Sequence, residues 1–291
     1  MKRIRCYIKR LREKIKEQKG VFFLFTLLRF MVIIALVRSI FIHNYEGAAI
    51  CLLVLILFFI PSFLEDKLKV RLPALFEGII YCFIFAAEIL GELGHFYTRI
   101  PIWDTLLHTL NGFLFAAVGF STVYILNRNS KNIKLSPLYL AMVAFCFSMT
   151  IGVLWEFFEC GADLFFGADM QKDFIVRNFH SVVLDSSNSQ KAIAVSDVTK
   201  TIIQTVSGKS FAVTGGYLDI GILDTMKDLF VNLIGAVVFS TFGFIYLKFG
   251  EKDKVSNAVV KGLTIQPNEE VKKKVEYKNK NNNGKGKSYS R

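Results

Sequence analysis

Leu218-Asp219-Ile220-Gly221-Ile222-Leu223-Asp224-Thr225-Met226-Lys227-Asp228-Leu229-Phe230-Val231-Asn232-Leu233-Ile234-Gly235-Ala236 opens the last long apolar segment of the chain, which runs on to about Phe249. On a helix, spacings of three and four residues line up, so Asp224, Asp228, Asn232 and Gly235 fall near one face. The segment is long enough to span a bilayer, and a carboxylate near the bilayer centre costs about 2.5–3.5 kcal/mol on insertion scales. That stripe must therefore face other helices, water or an ion rather than lipid. Working outward, the rest of the chain is read as what surrounds it.

The composition agrees. Of 291 residues, 53% are hydrophobic and 29 are Phe, which excludes a disordered chain and argues against an ordinary soluble domain. Several runs reach the roughly 18–20 residues that cross the hydrocarbon core. No alternating ten-residue pattern suggests a membrane β-barrel. The class expected is all-α: a polytopic bundle with spans at about 21–42, 45–64, 73–95, 104–126, 137–160 and 222–248. Five scattered cysteines include no CxxC, so neither a disulfide framework nor a thiolate metal site is indicated.

The net charge of +12 could suggest nucleic acid, but its distribution points to a membrane. Residues 1–20 read as a basic amphipathic helix with Ile4, Ile8, Leu11 and Ile15 on one stripe, suited to the anionic inner leaflet. Its apolar continuation lacks a convincing cleavage site and reads as an uncleaved anchor. With both termini cytoplasmic, 27 of the 36 Lys and Arg lie in cytoplasmic segments and 6 in outer ones, as the positive-inside rule requires. That is how an inner-membrane protein sets its orientation. Arg29, inside the first span, is expected to pair with an acid of the bundle. The second span is expected to end at Pro61-Ser62. Residues 161–219 form a long outer loop with strand character at 174–179 and 201–206, and Ser207-Gly208-Lys209 reads as a hairpin turn. Residues 220–249 carry the sixth helix. From 250 to 291 the chain is polar and Lys/Asn-rich and reads as a disordered basic tail.

With this topology four helix ends meet the outer surface, each with a polar stripe. The third span ends with Glu88, Glu92 and His95. The fourth begins with Asp104, His108, Asn111 and Gly112. The fifth ends with Glu156 and Glu159, then Asp163, and the sixth begins with Asp224, Asp228 and Asn232. At ~1.5 Å rise per residue, His108 and Asp228 each lie about 6 Å deeper than the first acid of their stripe. Trp103 and Trp155 flank the stripes, as interfacial aromatics do.

Asp104, Glu156, Glu159, Asp224 and Asp228 are thus five carboxylates near one level, with His108 among them. Like charges so close need compensation. Lys227 and Arg29 are candidate counter-charges; a divalent cation is the other economical answer. Asp104, His108, Glu156, Glu159, Asp224 and Asp228 are the candidate ligands, and Mg²⁺, Mn²⁺ or Zn²⁺ all suit carboxylate and imidazole donors. Asp104, His108, Glu156 and Asp228 are the candidate catalytic residues, since a metal there activates water or holds a phosphate. The competing reading makes Glu88, Glu92 and His95 interhelical hydrogen bonders or a wet vestibule, Asp163 a solvated acid or loop cap, Lys227 a salt-bridge partner and the six core residues purely structural; Gly112 and Gly235 read as positions of close helix packing. No Gly-rich phosphate loop, GxSxG or HExxH is present.

Trp103-Asp104-x-x-x-His108-x-x-x-Gly112, then Trp155-Glu156-x-x-Glu159, then Asp224-Thr225-x-x-Asp228-x-x-x-Asn232-x-x-Gly235-Ala236 resembles the YjdF-type bacterial inner-membrane proteins. The order of these groups is also similar, more distantly, to VanZ-like proteins. The resemblance covers roughly residues 73–250. It implies a multi-span inner-membrane protein, and the VanZ-like link implies a role in the cell envelope; it supplies no catalytic residue. The leading expectation is a metal-assisted binding or catalytic pocket for an envelope or lipid-linked substrate. A proton- or ion-coupled transporter, and a structural protein that recruits a partner through its outer loop, are the alternatives. Whether the protein is an enzyme stays open at this point.

Overall fold

The computed structural model describes residues 18–130 and 134–267. The basic helix expected over 1–20 and the end of the tail lie outside these residues, apart from 18–20 and 250–267. Six helices are long and apolar enough to cross a membrane: Lys19–Phe41, Tyr45–Leu68, Ala74–Leu93, Trp103–Arg128, Pro137–Phe166 and Ile222–Phe249. The six-span expectation holds.

Helix α1 (Lys19–Phe41) pairs with α2 (Tyr45–Leu57), which continues into α3 (Ile60–Leu68) after a break at Phe58 and Phe59. The span does not end at Pro61. Proline lacks an N–H, but the first turn of a helix has no intrahelical acceptor for one, so Pro61 starts a new helical segment there. Helix α4 (Ala74–Ile84) runs on as a π-helix over Phe85–Leu93. The short α5 (Phe96–Arg99) leads into α6 (Trp103–Asn129). Helices α7 (Pro137–Phe166) and α8 (Ile222–Phe249) follow on either side of the long loop.

The bundle has two apolar cores. Leu28, Val32, Cys51, Val54, Phe58, Tyr81, Phe85 and Ile89 pack α1 and α2 against α4. Phe76, Leu114, Ala116, Ala117, Phe120, Leu140, Ala144, Ala236 and Phe239 bind α6, α7 and α8 to the other side of α4. Arg29 lies beside the first core, half-buried. Contrary to expectation it meets no acid among the described residues; its guanidinium stacks over the rings of Phe25 and Phe59, at 5.7 and 4.8 Å. An aromatic face stabilises a cation where no carboxylate is in reach.

Helices α6, α7 and α8 form the tightest unit. A Cβ on Gly112 would run into the Asn232 carbonyl oxygen, and one on Gly235 into the Thr109 carbonyl oxygen. The backbones of α6 and α8 thus touch at two glycines, the close approach by which small residues let membrane helices pack. Ser148 Oγ donates to the Gly112 carbonyl at 2.6 Å, which fastens α7 to the same crossing. Asn232 is buried between the three helices. Its Oδ1 accepts from Asn111 Nδ2 at 3.2 Å, and its amide lies where a side chain on Gly152 would be.

The loop starts at Gly167 rather than 161. Helix α7 keeps its pattern through Leu164-Phe165-Phe166 and stops on a left-handed glycine, with φ +65°. Three antiparallel ladders follow: β2 (Ile175–Val176) with β7 (Tyr217–Leu218), β3 (Phe179–Ser181) with β4 (Ile193–Val195), and β5 (Lys200–Gln204) with β6 (Ser210–Thr214). The expected hairpin about Ser207-Gly208-Lys209 is the last of these.

Residues 250–267 correct the expectation of a disordered tail. Helix α9 (Lys254–Leu263) buries Ser256, Val260 and Leu263, spaced for one helical face, against Phe76 and its neighbours. Beyond it, β8 (Gln266–Pro267) pairs with β1 (Val70–Arg71), and Ile265 N donates to Ser121 Oγ at 2.9 Å. Three buried positions outweigh the polar average of this stretch.

Candidate functional site

Asp104 and Asp224 stand in the first turns of α6 and α8, at the loop-side end of the bundle. A helix N-terminus carries partial positive charge, so two acids there are favoured locally. One turn deeper, His108 and Asp228 repeat the face. Glu156 and Glu159 come from α7, which runs antiparallel and presents them at the same level. The six predicted residues all meet. Glu156, Glu159, His108, Asp224 and Asp228 are buried, and the Asp104 side chain is 19% exposed.

His108 is the centre. Its Nε2 lies 3.5 Å from Asp104 Oδ1 and 3.7 Å from Asp228 Oδ2, while Nδ1 lies 3.7 Å from Glu156 Oε1. None of these closes to a hydrogen bond. Two sets of donor atoms result, each within 4.8 Å: Asp104, His108 and Asp228 on one side of the ring, His108, Glu156 and Glu159 on the other. Lys227 serves one side only. Its Nζ is 3.3 Å from Asp104 Oδ2, 3.2 Å from Asp224 Oδ1 and 3.5 Å from Asp228 Oδ1. On the other side Glu159 Oε1 accepts from Trp155 Nε1 at 2.7 Å, and the buried Glu156 Oε2 has no hydrogen-bond partner.

The loop closes over this end. Asp163 accepts the backbone N–H groups of Met170 and Gln171, at 2.7 and 2.9 Å, and so turns the chain back over the helix ends as a loop cap. Lys172 N then donates to Asp224 Oδ2 at 2.9 Å, and Gln171 Nε2 donates to Thr225 Oγ1. Sequence reasoning missed both contacts. A backbone amide 52 positions from its acceptor leaves no pattern in the chain.

The third span contributes less than expected. Glu92 and His95 are exposed, and neither Glu88 nor Glu92 belongs to the two donor sets. The π-helical turn changes the angular step and a left-handed His95, with φ 58°, ends it. Tyr97, on α5, lies between the two acidic groups. Burial, then the charges of Glu92, Asp104, Glu88 and Glu159, pushes its phenol well above the usual value.

Below the site the three helices are neutral. No Asp, Glu, His, Lys or Arg occurs in 113–127, 138–154 or 233–247.

A family model described as "Predicted membrane protein (DUF2238)" matches residues 24–249, a range that holds all six site residues. No curated protein and no solved structure matches the chain. The chain belongs to the DUF2238 family of predicted membrane proteins.

Proposed function

We propose that this predicted membrane protein holds a divalent cation at His108 and its carboxylates, and uses it to bind or transform a polar substrate presented at the membrane surface. The observation that carries the reading is the imidazole of His108 with a carboxylate set against each ring nitrogen, at separations too long for hydrogen bonds and close enough to share an ion. Donor atoms around a divalent cation sit about 2.0–2.2 Å from it. A modest contraction of either set would accommodate one. The mixed imidazole and carboxylate donors suit Mn²⁺ or Zn²⁺, and Mg²⁺ less well. A bound cation would supply a Lewis acid or an activated water. The carboxylates would hold the ion, and whichever ring nitrogen is left free would be steered by the carboxylate opposite.

The substrate class follows from position. The cluster lies at the loop-side ends of three long apolar helices, beneath a loop rather than in the bundle centre, which would put it at headgroup depth in a bilayer. An envelope or lipid-linked molecule would reach it there. The finer likeness to YjdF-type proteins, and the distant one to VanZ-like proteins, is part of this proposal. So is the placement in a bacterial inner membrane with both termini inside, which the Lys/Arg distribution supports. Transport through the bundle is a poorer reading, because no ionisable group continues the cluster toward the opposite face along α6, α7 or α8.

The test is metal content after purification in detergent, with metal re-added and excess removed. The wild type is expected to keep one ion, and His108→Ala, which removes the donor common to both sets, is expected to lose it. A wild type that retains nothing after re-addition overturns the metal reading. A reporter fused into the 205–209 turn tests the orientation: a cytoplasmic signal would reverse it.

A further inference from the structure

The two donor sets overlap at His108, and one ring cannot easily serve both at once. Which set takes the ion is decided by what already lies there. Around Asp104, Asp224 and Asp228 sits an ammonium group, Lys227 Nζ, at 3.2–3.5 Å from an oxygen of each. Two of those three acids are ligands of the first set. The second set has no such cation: the ion pairs of Lys227 include neither Glu156 nor Glu159. Each set holds one buried carboxylate oxygen without a hydrogen-bond partner, Asp228 Oδ1 in the first and Glu156 Oε2 in the second, but Lys227 Nζ stands 3.5 Å from the former, while the latter has no such charge beside it, on a side chain only 5% exposed whose other oxygen faces His108 Nδ1. A buried carboxylate oxygen without a partner is costly, and an ion is one way to satisfy it.

We infer that Lys227 is a built-in competitor that fills the aspartate set, so that the divalent cation is directed to His108, Glu156 and Glu159. This rests on the metal reading above and adds its selectivity. The aspartates are then positioning residues. With Nδ1 turned to the ion, Nε2 is left to face Asp104 and Asp228, which orient the ring and stabilise a proton on it. Lys227 is the least buried member of the group, with its side chain 35% exposed at the loop side. Displacing it would free a second set of donors without rebuilding the bundle.

The experiment titrates Mn²⁺ into the full-length protein in detergent and follows free ion by electron paramagnetic resonance. In the wild type, Glu156→Gln is expected to weaken binding by about tenfold or more, while Asp104→Asn changes it less than threefold. In a Lys227→Met, Asp224→Asn background the cluster keeps its net charge and both donor sets remain. There the ranking is expected to disappear: Glu156→Gln is tolerated, because the aspartate set now accepts the ion, and binding is lost only when Asp104→Asn is added to Glu156→Gln. Lys227→Arg, which keeps the cation, is expected to behave as wild type. Loss of Mn²⁺ in Asp104→Asn with Lys227 intact would overturn the assignment and leave the metal reading standing. So would failure of the Lys227→Met, Asp224→Asn background to rescue Glu156→Gln, provided that background elutes as a folded, monodisperse species. Absence of Mn²⁺ binding in the wild type and every variant would remove both.

Discussion

Helices α6, α7 and α8 are built differently at their two ends. The loop-side third holds six carboxylates, a histidine and a lysine, with gaps of 3.2–3.7 Å around the histidine and the lysine and two buried carboxylate oxygens, Glu156 Oε2 and Asp228 Oδ1, that have no hydrogen-bond partner. Beyond it no Asp, Glu, His, Lys or Arg occurs until Arg128 and Lys248 in the last turns of α6 and α8, and the helices pack through small residues, with Ala116, Ala117, Ala144 and Ala236 fully buried among Phe120 and Phe239. Between them lies one polar layer, Asn111, Asn232 and Ser148, whose hydrogen bonds are all made to helix partners. In lipid the apolar effect gives helices little reason to associate, so close packing and a few polar bonds must supply it. The inner two thirds hold the helices together, and this lets the outer third carry charges that oppose their approach.

Breaking that division at its boundary has the largest expected effect. Gly235→Leu would push a side chain into the Thr109 carbonyl and the Phe113 amide, which are backbone and cannot step aside. The expected cost is about 3 kcal/mol, at the upper end for overpacking, with loss of a monodisperse species in detergent. Gly20→Leu, where nothing is in reach of a Cβ, is the control and should be silent. Equal behaviour of the two would mean that the α6–α8 seam does not hold the bundle.

A second effect separates site from scaffold. At a cation concentration about a hundred times its Kd, binding stabilises the folded state by about 2.7 kcal/mol. Thermal unfolding of the wild type in detergent should therefore shift upward with Mn²⁺, whereas His108→Ala should unfold at a temperature that Mn²⁺ does not move. If both shift alike, the ion binds elsewhere and the outer third is only a charged surface.

The polar layer should contribute less. A double-mutant cycle between Asn111→Ala and Asn232→Ala is expected to give a coupling of about 0.6 kcal/mol, the average for hydrogen bonds between membrane helices. Asn232→Ala alone should cost more than Asn111→Ala, because Asn232 also fills the space left by Gly152. Zero coupling would make the layer a matter of volume rather than hydrogen bonding.

The same division explains what could be read from the chain. Asp104 with His108, Glu156 with Glu159 and Asp224 with Asp228 are visible because a helix repeats every three to four residues, and because acids inside apolar runs are conspicuous. That the three pairs converge follows from the alternating direction of successive spans, which sets the end of the fifth beside the starts of the fourth and the sixth. The partners of the site come from elsewhere and leave no such mark: Lys172 offers a backbone N–H and Gln171 an ordinary loop amide. The π-helical turn at Phe85–Leu93 is equally silent, and it is what takes Glu92 and His95 out of the cluster. The charge of Arg29 points to an acid, whereas a ring face, here Phe25 one turn before it, answers a cation without any charge in the sequence to mark it. In α9, the spacing of Ser256, Val260 and Leu263 was present but diluted by lysines.

That last helix gives the smallest effect, and one with a defined pH dependence. Asp253 is the N-cap of α9, and its Oδ2 accepts the Ser256 N–H at 2.9 Å. Ser256, through its side chain and its backbone N–H, holds the Asp253 carboxyl below the ordinary carboxylate range. A group whose folded value is depressed stabilises the fold above its unfolded value, near 3.9 for Asp, and loses that contribution as pH falls through the folded value. Protection of the Ser256 and Asn257 amides, measured against the unstructured exchange rate at the same pH, should thus be high at neutral pH and fall below about pH 4, while amides in the middle of α8 stay protected. Asp253→Asn keeps an acceptor at the cap and removes the titration, so its protection should be flat over the same window. Asp253→Ala should show low protection at every pH. The change should stay local, because the β1–β8 pairing and the Ile265–Ser121 hydrogen bond still hold the far end of α9 to the bundle. Protection that is unchanged in Asp253→Ala would mean that burial of Val260 and Leu263 fixes the helix without its cap, and the packed inner end of the bundle would then extend further along the chain than its six spans.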